Sequence, residues 1–399
     1  MSSNKSTRDD TIAVHAGRRP LDNFGVVNPP VFRASTILHP TLDSWENRHK
    51  ENVHKYGKHF VRYGLHGTPT QFSLRDALSE IEQAEDTALV PSGMAACAIP
   101  FLAYASPGAH FLITDNVYEP VRRLAEGYLK QLGCVIEYFD PRIGGGIANH
   151  IRPETKMIWL ESPGSLTMEL TDVPAVVAAA KKAGVVTGID NTWSAGYFFK
   201  PLAIGVDISV HALTKYQGGH SDVMLGSVSC ATPETFEKVQ MAIAATGMGA
   251  SPDDTYFVQR GLRSMPTRLK HHHEAGLKVA KWLEQRPEVR MVMHPGLESH
   301  PDHALWKRDF SGACGLFSIL IDPPSRAALE SMMENYNYFG IGASWGGFES
   351  LIVTSFPGRL RTAVPWTDSG TVLRLHIGLE DPDDLIADLE AGFDRLAKA

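Results

Sequence analysis

From residue 70 to about residue 260, short apolar segments alternate with helical patterns. The spacing predicts helices over 71–85, 92–104, 119–132 and 174–183, and strands over 110–114, 135–139, 157–160, 185–189 and 206–210. Strands that alternate with helices indicate an α/β fold with a mostly parallel central sheet, covered on both faces. In such sheets ligands bind beyond the carboxyl ends of the strands, so polar residues at those ends are the first candidates for a site.

The pattern changes near residue 265. We predict helix over 253–285 with an interruption near Pro266, then strands near 291–293, 315–321, 351–355 and 371–378 and helices near 326–335 and 383–396. A smaller C-terminal α+β domain over 266–399 is therefore expected to follow a large domain over 61–265. Residues 1–60 are polar and irregular, and we expect them to form an N-terminal arm that contacts a neighbouring subunit.

The composition excludes several classes of protein. Among 399 residues, 43% are hydrophobic and 21% are charged, as in ordinary globular proteins. The formal net charge of −7 argues against general binding to nucleic acid or to anionic membranes. No apolar run reaches about 18 residues, so we expect no membrane span. The polar N-terminus and four widely separated cysteines predict a cytoplasmic protein with reduced, buried thiols: Cys97, Cys134, Cys230 and Cys314.

Four charged residues fall at or just beyond predicted strand ends: Asp115, Glu161, Asp190 and Lys215. A lysine and an aspartate are the two groups that pyridoxal 5'-phosphate (PLP) requires. The lysine forms a Schiff base, and the carboxylate keeps the pyridine nitrogen protonated so that the ring accepts electrons. The pair alone is weak evidence, because most lysines are solvated and aspartates at strand ends often cap helices.

Two further features fit a phosphorylated, flat cofactor. The segment PSGMAA (91–96) opens a buried helix, whose free N–H groups and dipole favour a phosphate group, although by itself it is also an ordinary serine N-cap. Tyr118 follows the strand predicted over 110–114 and is placed to stack on a ring. An isolated tyrosine there is more often a half-buried surface residue.

Several longer segments, in the right order, resemble the PLP-dependent enzymes of cysteine and methionine metabolism. Within that family the chain is most similar to the beta-lyases that act on cystathionine. The resemblance covers nearly the whole chain and is carried by YGLHGTPT (63–70), LESPGS (160–165), DNTW (190–193), TKY (214–216), GHSD (219–222), RGLR (260–263), SWGGFESL (344–351) and RLHIGLE (374–380).

The resemblance implies an aspartate aminotransferase-like fold of type I that binds PLP in the domain over 61–265. Lys215 would hold PLP as an aldimine, and Asp190 would face the pyridine nitrogen. The other cofactor residues that the resemblance implies are the ring-stacking Tyr118 and the phosphate ligands Gly93, Met94 and Thr214. No metal is expected.

The resemblance also implies a substrate side and a partner subunit. Ser344 and Trp345 would line the substrate, and Arg374 would clamp its α-carboxylate with a bidentate guanidinium. Because Arg374 lies within the apolar segment VLRL (372–375), an unpaired charge there is costly and a partner is expected. Tyr63 would reach the phosphate and the reacting centre of a neighbouring subunit, in a homotetramer with shared active sites.

The chain departs from the family pattern at three positions. Leu65 stands where relatives often carry an arginine that binds the neighbour's phosphate, and either Arg62 or His66 is a candidate to supply that charge. Ala212 and Ser165 stand where many relatives carry serine and asparagine.

The segment 342–346 selects the reaction. Gamma-lyases and gamma-synthases commonly place Glu at the position of Ala343 and Leu at the position of Trp345, so this chain favours beta-elimination from L-cystathionine to homocysteine, pyruvate and ammonia. Lys215 would remove the Cα proton, with Lys215 or Tyr63 as the proton donor to the leaving thiolate.

Other functions remain open from the sequence. A gamma-lyase, gamma-synthase or sulfhydrylase shares every cofactor residue, and a noncatalytic small-molecule-binding protein would keep the fold. No phosphate-binding loop of the GxxxxGK(S/T) type is present. The run His271–His273 invites a metal interpretation, but consecutive helical residues diverge by about 100°, so we predict a solvated or subunit-facing surface instead.

Overall fold

A computed structural model describes residues 7–48 and 54–398. Residues 1–6 and 49–53, which belong to the predicted N-terminal arm, and residue 399 lie outside the described residues. The strands are β1 (Lys55–Tyr56), β2 (His59–Phe60), β3 (Asp86–Val90), β4 (His110–Thr114), β5 (Val135–Phe139), β6 (Thr155–Glu161), β7 (Val186–Asp190), β8 (Ile208–Ala212), β9 (Gly226–Cys230), β10 (Val289–Met293), β11 (Leu316–Ile321), β12 (Leu351–Ser355) and β13 (Thr371–His376).

The helices follow the strands through both parts of the chain. They are α1 (Asp9–His15), α2 (Leu42–Glu46), α3 (Pro69–Glu82), α4 (Gly93–Tyr104), α5 (Glu119–Leu124), α6 (Val173–Ala183), α7 (Pro233–Thr246), α8 (Pro252–Leu262), α9 (Met265–Leu283), α10 (His303–Asp309), α11 (Arg326–Met333) and α12 (Pro382–Lys398). None of the helices in the described ranges combines the length and apolarity that a bilayer span requires.

Seven strands form the large sheet in the order β3-β9-β8-β7-β6-β4-β5. The strands from β8 to β5 are mutually parallel, and among the seven only β9 runs against its neighbours. The predicted α/β fold with a mostly parallel central sheet is confirmed. Strands β3 and β9 were not predicted.

Both faces of the large sheet are buried. Successive strand residues point to opposite sides, so the apolar residues of each strand divide between two clusters. Leu112, Leu160 and Ile189 enter one apolar cluster, which extends to residues of the small sheet. Phe111 and Trp159 enter the other cluster, against α4 and α5. The near-continuous apolar runs of the central strands follow from this double coverage.

A four-stranded antiparallel sheet forms the C-terminal part, in the order β10-β11-β13-β12. Its apolar residues join those of α9, α11 and α12 in a third core cluster. The expected smaller α+β unit is therefore present. Helix α9 begins at Met265, where the domain boundary was placed, and the boundary itself stays a prediction.

Two predictions of local structure need correction, and a third is confirmed. The described part of the arm is not wholly irregular, because α1 packs on α3 and α9 and Arg263 donates to the carbonyl of Ala13 at 2.8 Å. The single helix predicted over 119–132 instead passes from α5 into a π-helical turn at Ala125–Leu129. The expected buried thiols are confirmed, since all four cysteines are buried and unpaired.

Candidate active site

The carboxyl ends of β7 and β8 bring two predicted site residues to one edge of the large sheet. Asp190 is the last residue of β7 and pairs in register with Glu161 of β6, while Lys215 follows the end of β8 by three residues. Thr192 ties the two ends together. Its hydroxyl donates to Asp190 Oδ1 at 2.6 Å and accepts a hydrogen bond from the Ala212 N–H at 2.9 Å.

The Lys215 amine sits in a desolvated and cationic environment. Burial and the neighbouring Arg374 lower its pKa to about 8, and the attraction of Asp190 opposes that shift. Its Nζ donates to Ser344 Oγ at 2.8 Å and lies 5.0 Å from the centre of the Trp345 ring. An amine with this pKa is half neutral near pH 8, so it is available as a nucleophile and base.

The other carboxylate oxygen of Asp190 faces a thiol. Cys97 of α4 donates to Asp190 Oδ2 at 3.4 Å, and burial raises the pKa of this thiol well above its usual range. Glu161, beside Asp190, accepts a hydrogen bond from the Tyr118 N–H at 2.6 Å. Burial and the charge of Asp190 raise the Glu161 pKa well above its usual range. Sequence reasoning missed the Cys97 contact, which spans 93 residues.

The start of α4 abuts the end of β8 and forms a cradle. Ser92 caps the helix by accepting from the Ala95 N–H at 3.1 Å, and the N–H groups of Gly93 and Met94 precede the first intrahelical bonds. A Cβ at Gly93 would lie 2.4 Å from the Cβ of Ala212, so only glycine fits. Free N–H donors held against the end of β8, three residues before Lys215, fit the phosphate of PLP.

Two further predicted cofactor residues border the same strand ends. Thr214 precedes Lys215, and its hydroxyl accepts from the Leu225 N–H at 3.2 Å. Tyr118 is half exposed at the start of α5, and burial together with the Cys97 and Asp190 side chains raises its pKa. The residues of this edge therefore fit a flat, phosphorylated ring with a basic nitrogen.

The small sheet supplies the opposite side of the cleft. Arg374, in the middle of β13, donates from one terminal nitrogen to the carbonyls of Ala343 at 2.6 Å and Ser344 at 3.3 Å. Its Nε is buried and has no partner among the described residues. The expected partner of Arg374 is thus a pair of backbone carbonyls rather than a carboxylate, which leaves its charge for an anion.

A tight turn presses the Ser344–Trp345 loop against the lysine. Gly346 has a φ of +86°, and a Cβ there would lie 3.0 Å from the Lys215 Cα. Its N–H donates to Nε2 of the buried His376 at 3.1 Å, and the Trp345 ring packs 5.5 Å from the Tyr216 ring. Sequence reasoning missed His376, although it lies two residues after Arg374.

Tyr63 stands apart from these residues. It is 48% exposed and lines a cavity of about 780 Å³ together with Arg48, Arg62 and His66. Within residues 7–48 and 54–398, no hydrogen bond or cation–π contact joins the Tyr63 side chain to Lys215. Leu65, at the position where relatives often carry arginine, is 42% exposed.

The prediction that the histidine run of α9 forms a solvated or subunit-facing surface is wrong for His272. His272 is fully buried, and its Nδ1 donates to the Ile377 carbonyl at 2.8 Å. His273 Nδ1 accepts from the Ala313 N–H at 3.0 Å. His272 and His273 therefore join α9 to the segments that flank β11 and β13 of the small sheet. In the part of the chain that the structure describes, no cluster of three potential ligands suits a metal ion.

Comparisons with known proteins agree with this geometry. The sequence is 42% identical over 393 residues to cystathionine beta-lyase of Escherichia coli, covering 97% of this chain and 98% of that protein. It is 41% identical over 393 residues to cystathionine beta-lyase of Haemophilus influenzae, with the same shares of the two chains covered.

A solved structure of cystathionine gamma synthase from Xanthomonas oryzae pv. oryzae, in complex with aminoacrylate and cysteine, superposes with a TM-score of 0.89. It is 30% identical and covers 99% of this chain and 100% of its own. The sequence profile of the family described as Cys/Met metabolism PLP-dependent enzyme matches residues 10–394. The chain therefore belongs to the PLP-dependent enzymes of cysteine and methionine metabolism.

Proposed function

We propose that this protein is a carbon–sulfur lyase that eliminates from the β-carbon of L-cystathionine, releasing homocysteine, pyruvate and ammonia, in methionine biosynthesis. One observation carries the proposal: the Lys215 amine lies close enough to the Asp190 carboxylate and the Arg374 guanidinium to feel both charges, and Ser344 contacts both Lys215 and Arg374. Ala343 and Trp345 favour the beta reaction over the gamma reaction, and relatives more than 40% identical are named cystathionine beta-lyase.

The large-sheet residues would hold the cofactor. Lys215 would bind PLP covalently, Asp190 would pair with its ring nitrogen and Tyr118 would stack on its ring. The phosphate would lie at the start of α4, against the N–H groups of Gly93 and Met94 and beside Thr214. Bound PLP supplies an electron sink for the negative charge that develops at the substrate Cα.

The chain's own groups manage the protons. With substrate bound, the Lys215 Nζ would accept the Cα proton, a role that its lowered pKa of about 8 supports. Ser344 Oγ, 2.8 Å from Nζ, steers that nitrogen. Either Lys215 or Tyr63 of a neighbouring subunit would then protonate the leaving sulfur.

Arg374 would orient the substrate. The Ala343 carbonyl fixes one terminal nitrogen, and the remaining N–H groups at the end of the guanidinium suit an α-carboxylate. The carboxylate held there aligns the Cα–H bond with the attacking Nζ. Such orientation is worth about a hundredfold in rate.

We further propose a cytoplasmic homotetramer in which active sites are shared between subunits. Tyr63 and its cavity are separate from the Lys215 cleft, so they fit a role in a neighbouring cleft, with Arg62 or His66 in place of the arginine missing at Leu65. The contacts of the N-terminal arm over 1–60, and the division into domains over 61–265 and 266–399, are part of the same proposal.

The test is product analysis with purified, PLP-loaded protein and L-cystathionine. Pyruvate is the expected keto acid. Release of α-ketobutyrate would identify a gamma-lyase, and the absence of turnover with any sulfur amino acid would favour a noncatalytic binding protein.

A further inference from the structure

We propose that Arg361 is a positioning residue: its buried ion pair with Asp115 holds Tyr118 in place from the small-sheet side of the cleft. This inference rests on the proposed stacking role of Tyr118. It concerns a cluster of four charged side chains, the Arg361 cluster, which comprises Asp115, Arg122, Glu169 and Arg361. None of the other roles assigned above uses this cluster.

The cluster joins the two parts of the chain at one buried point. Asp115 directly follows β4 of the large sheet, whereas Arg361 lies in the connection between β12 and β13 of the small sheet. Arg361 Nε donates to Asp115 Oδ2 at 3.0 Å, and a terminal nitrogen donates to Glu169 Oε1 at 2.7 Å. The side chain of Asp115 is 0% exposed and that of Arg361 is 4% exposed.

Backbone groups complete the grip on Asp115. The N–H groups of Thr362 and Val364 donate to its carboxylate at 2.9 and 2.8 Å, and Arg122 donates to Oδ1 at 2.6 Å. Burial alone would raise the pKa of Asp115, but these hydrogen bonds and Arg361 hold it at about 2. The carboxylate is therefore ionised near neutral pH, and it binds the segment from Arg361 to Val364 through these hydrogen bonds.

The Arg361 cluster is linked to Tyr118 by a short, hydrogen-bonded loop. Asn116, next to Asp115, donates to Glu169 Oε2 at 3.3 Å, and its carbonyl accepts from the Ser165 N–H at 2.9 Å. Two residues later the Tyr118 N–H binds Glu161. The loop that ends at Tyr118 is thus fixed at both ends, one end by the Arg361 cluster and the other by the acid beside Asp190.

The location of the Arg361 cluster indicates that it positions site residues and does not merely stabilise the fold. Two acids and two arginines balance in charge, and a buried pair is often no more stabilising than apolar residues of the same volume. The connection that carries Arg361 leads directly into β13 and Arg374. The cluster therefore sets the distance between the ring-stacking residue and the substrate clamp, a function that an apolar contact does not provide with the same directionality.

The test is a double-mutant cycle on PLP binding by the full chain. We expect Tyr118→Ala and Arg361→Met each to weaken PLP binding by about tenfold. Because Arg361 acts through Tyr118, the double variant should bind PLP no more weakly than Tyr118→Ala alone. The visible circular dichroism of bound PLP should fall in Arg361→Met, and kcat should fall more than KM rises.

Arg361→Lys serves if the methionine variant does not fold, because it keeps the charge but loses the two-point contact; it should show an intermediate loss of PLP affinity. The matched control is Arg308→Met, which removes the ion pair of Arg308 with Asp172 between the two parts of the chain. The side chains of Arg308 and Asp172 are 45% and 32% exposed. It should leave PLP affinity and dichroism unchanged.

Additive losses in the double variant, or a lower melting temperature with unchanged dichroism in Arg361→Met or Arg361→Lys, would overturn the inference. An unchanged PLP affinity in Tyr118→Ala would instead remove the role of Tyr118 in the proposed function, and the inference with it.

Discussion

On the large-sheet side of the cleft, Asp190 ends β7 and Lys215 follows the end of the adjacent parallel strand β8. On the small-sheet side, Arg374 projects from the middle of β13 and Trp345 lies in a loop. The first set is fixed by the sheet itself, because parallel strand ends meet at one edge. The second set is held by a turn at Gly346 and by backbone carbonyls.

This difference suggests a division of labour. We propose that groups on the sheet edge hold the cofactor, which the family shares. Groups on the loop and on β13 would orient the substrate, so that changes there alter the reaction without disturbing the fold. Substitutions on the two sides of the cleft should therefore have different effects on PLP binding and on turnover.

Replacing Lys215 by alanine should abolish the visible absorbance of PLP bound to the protein and lower turnover of L-cystathionine by about ten-thousandfold or more, because base and cofactor anchor are lost together. Absorbance and pyruvate release measure the two effects. Lys238→Ala, a surface lysine whose Nζ lies over the Tyr104 ring, is the control. Near-normal activity of Lys215→Ala would refute the assignment.

Reconstitution of the apo-enzyme with PLP should depend on pH. The Lys215 pKa is lowered from 10.5 to about 8, so the reactive neutral amine predominates above pH 8 and declines below it. The rate of PLP uptake should therefore fall about tenfold for each pH unit below 8. Stopped-flow absorbance measures this rate, and a profile that still rises steeply above pH 10 would contradict the lowered pKa.

Much of the large-sheet side was predictable, and the reason is local. Strands β4 and β5 have the predicted bounds, because their apolar runs end at polar residues such as Asp115. Strand β9 was missed because Gly226–Cys230 consists mainly of small residues. Its burial is set by neighbouring strands and leaves no apolar run to detect.

The contacts that complete the site were not predictable, because they join distant parts of the chain. Cys97 meets Asp190 across 93 residues, and Arg361 meets Asp115 across 246. Neither pattern nor propensity encodes such pairs. The partner expected for Arg374 was foreseen on grounds of charge, yet its identity as a backbone carbonyl required the fold.

The smallest expected effect concerns Trp345. Trp345→Leu introduces the residue that gamma-acting relatives commonly carry. It should leave PLP absorbance intact while lowering pyruvate release by about tenfold. Chromatography of the keto acids would reveal any α-ketobutyrate. Loss of PLP in this variant would mean that the loop belongs to the cofactor side and would break the comparison.

The division of labour is tested most directly by measuring PLP affinity and kcat/KM in parallel for Arg374→Ala and Asp190→Asn. We expect Arg374→Ala to lower kcat/KM by about a hundredfold with PLP affinity nearly unchanged, whereas Asp190→Asn should weaken both. Equal losses of PLP affinity and kcat/KM in Arg374→Ala would assign that arginine a structural role and contradict the account.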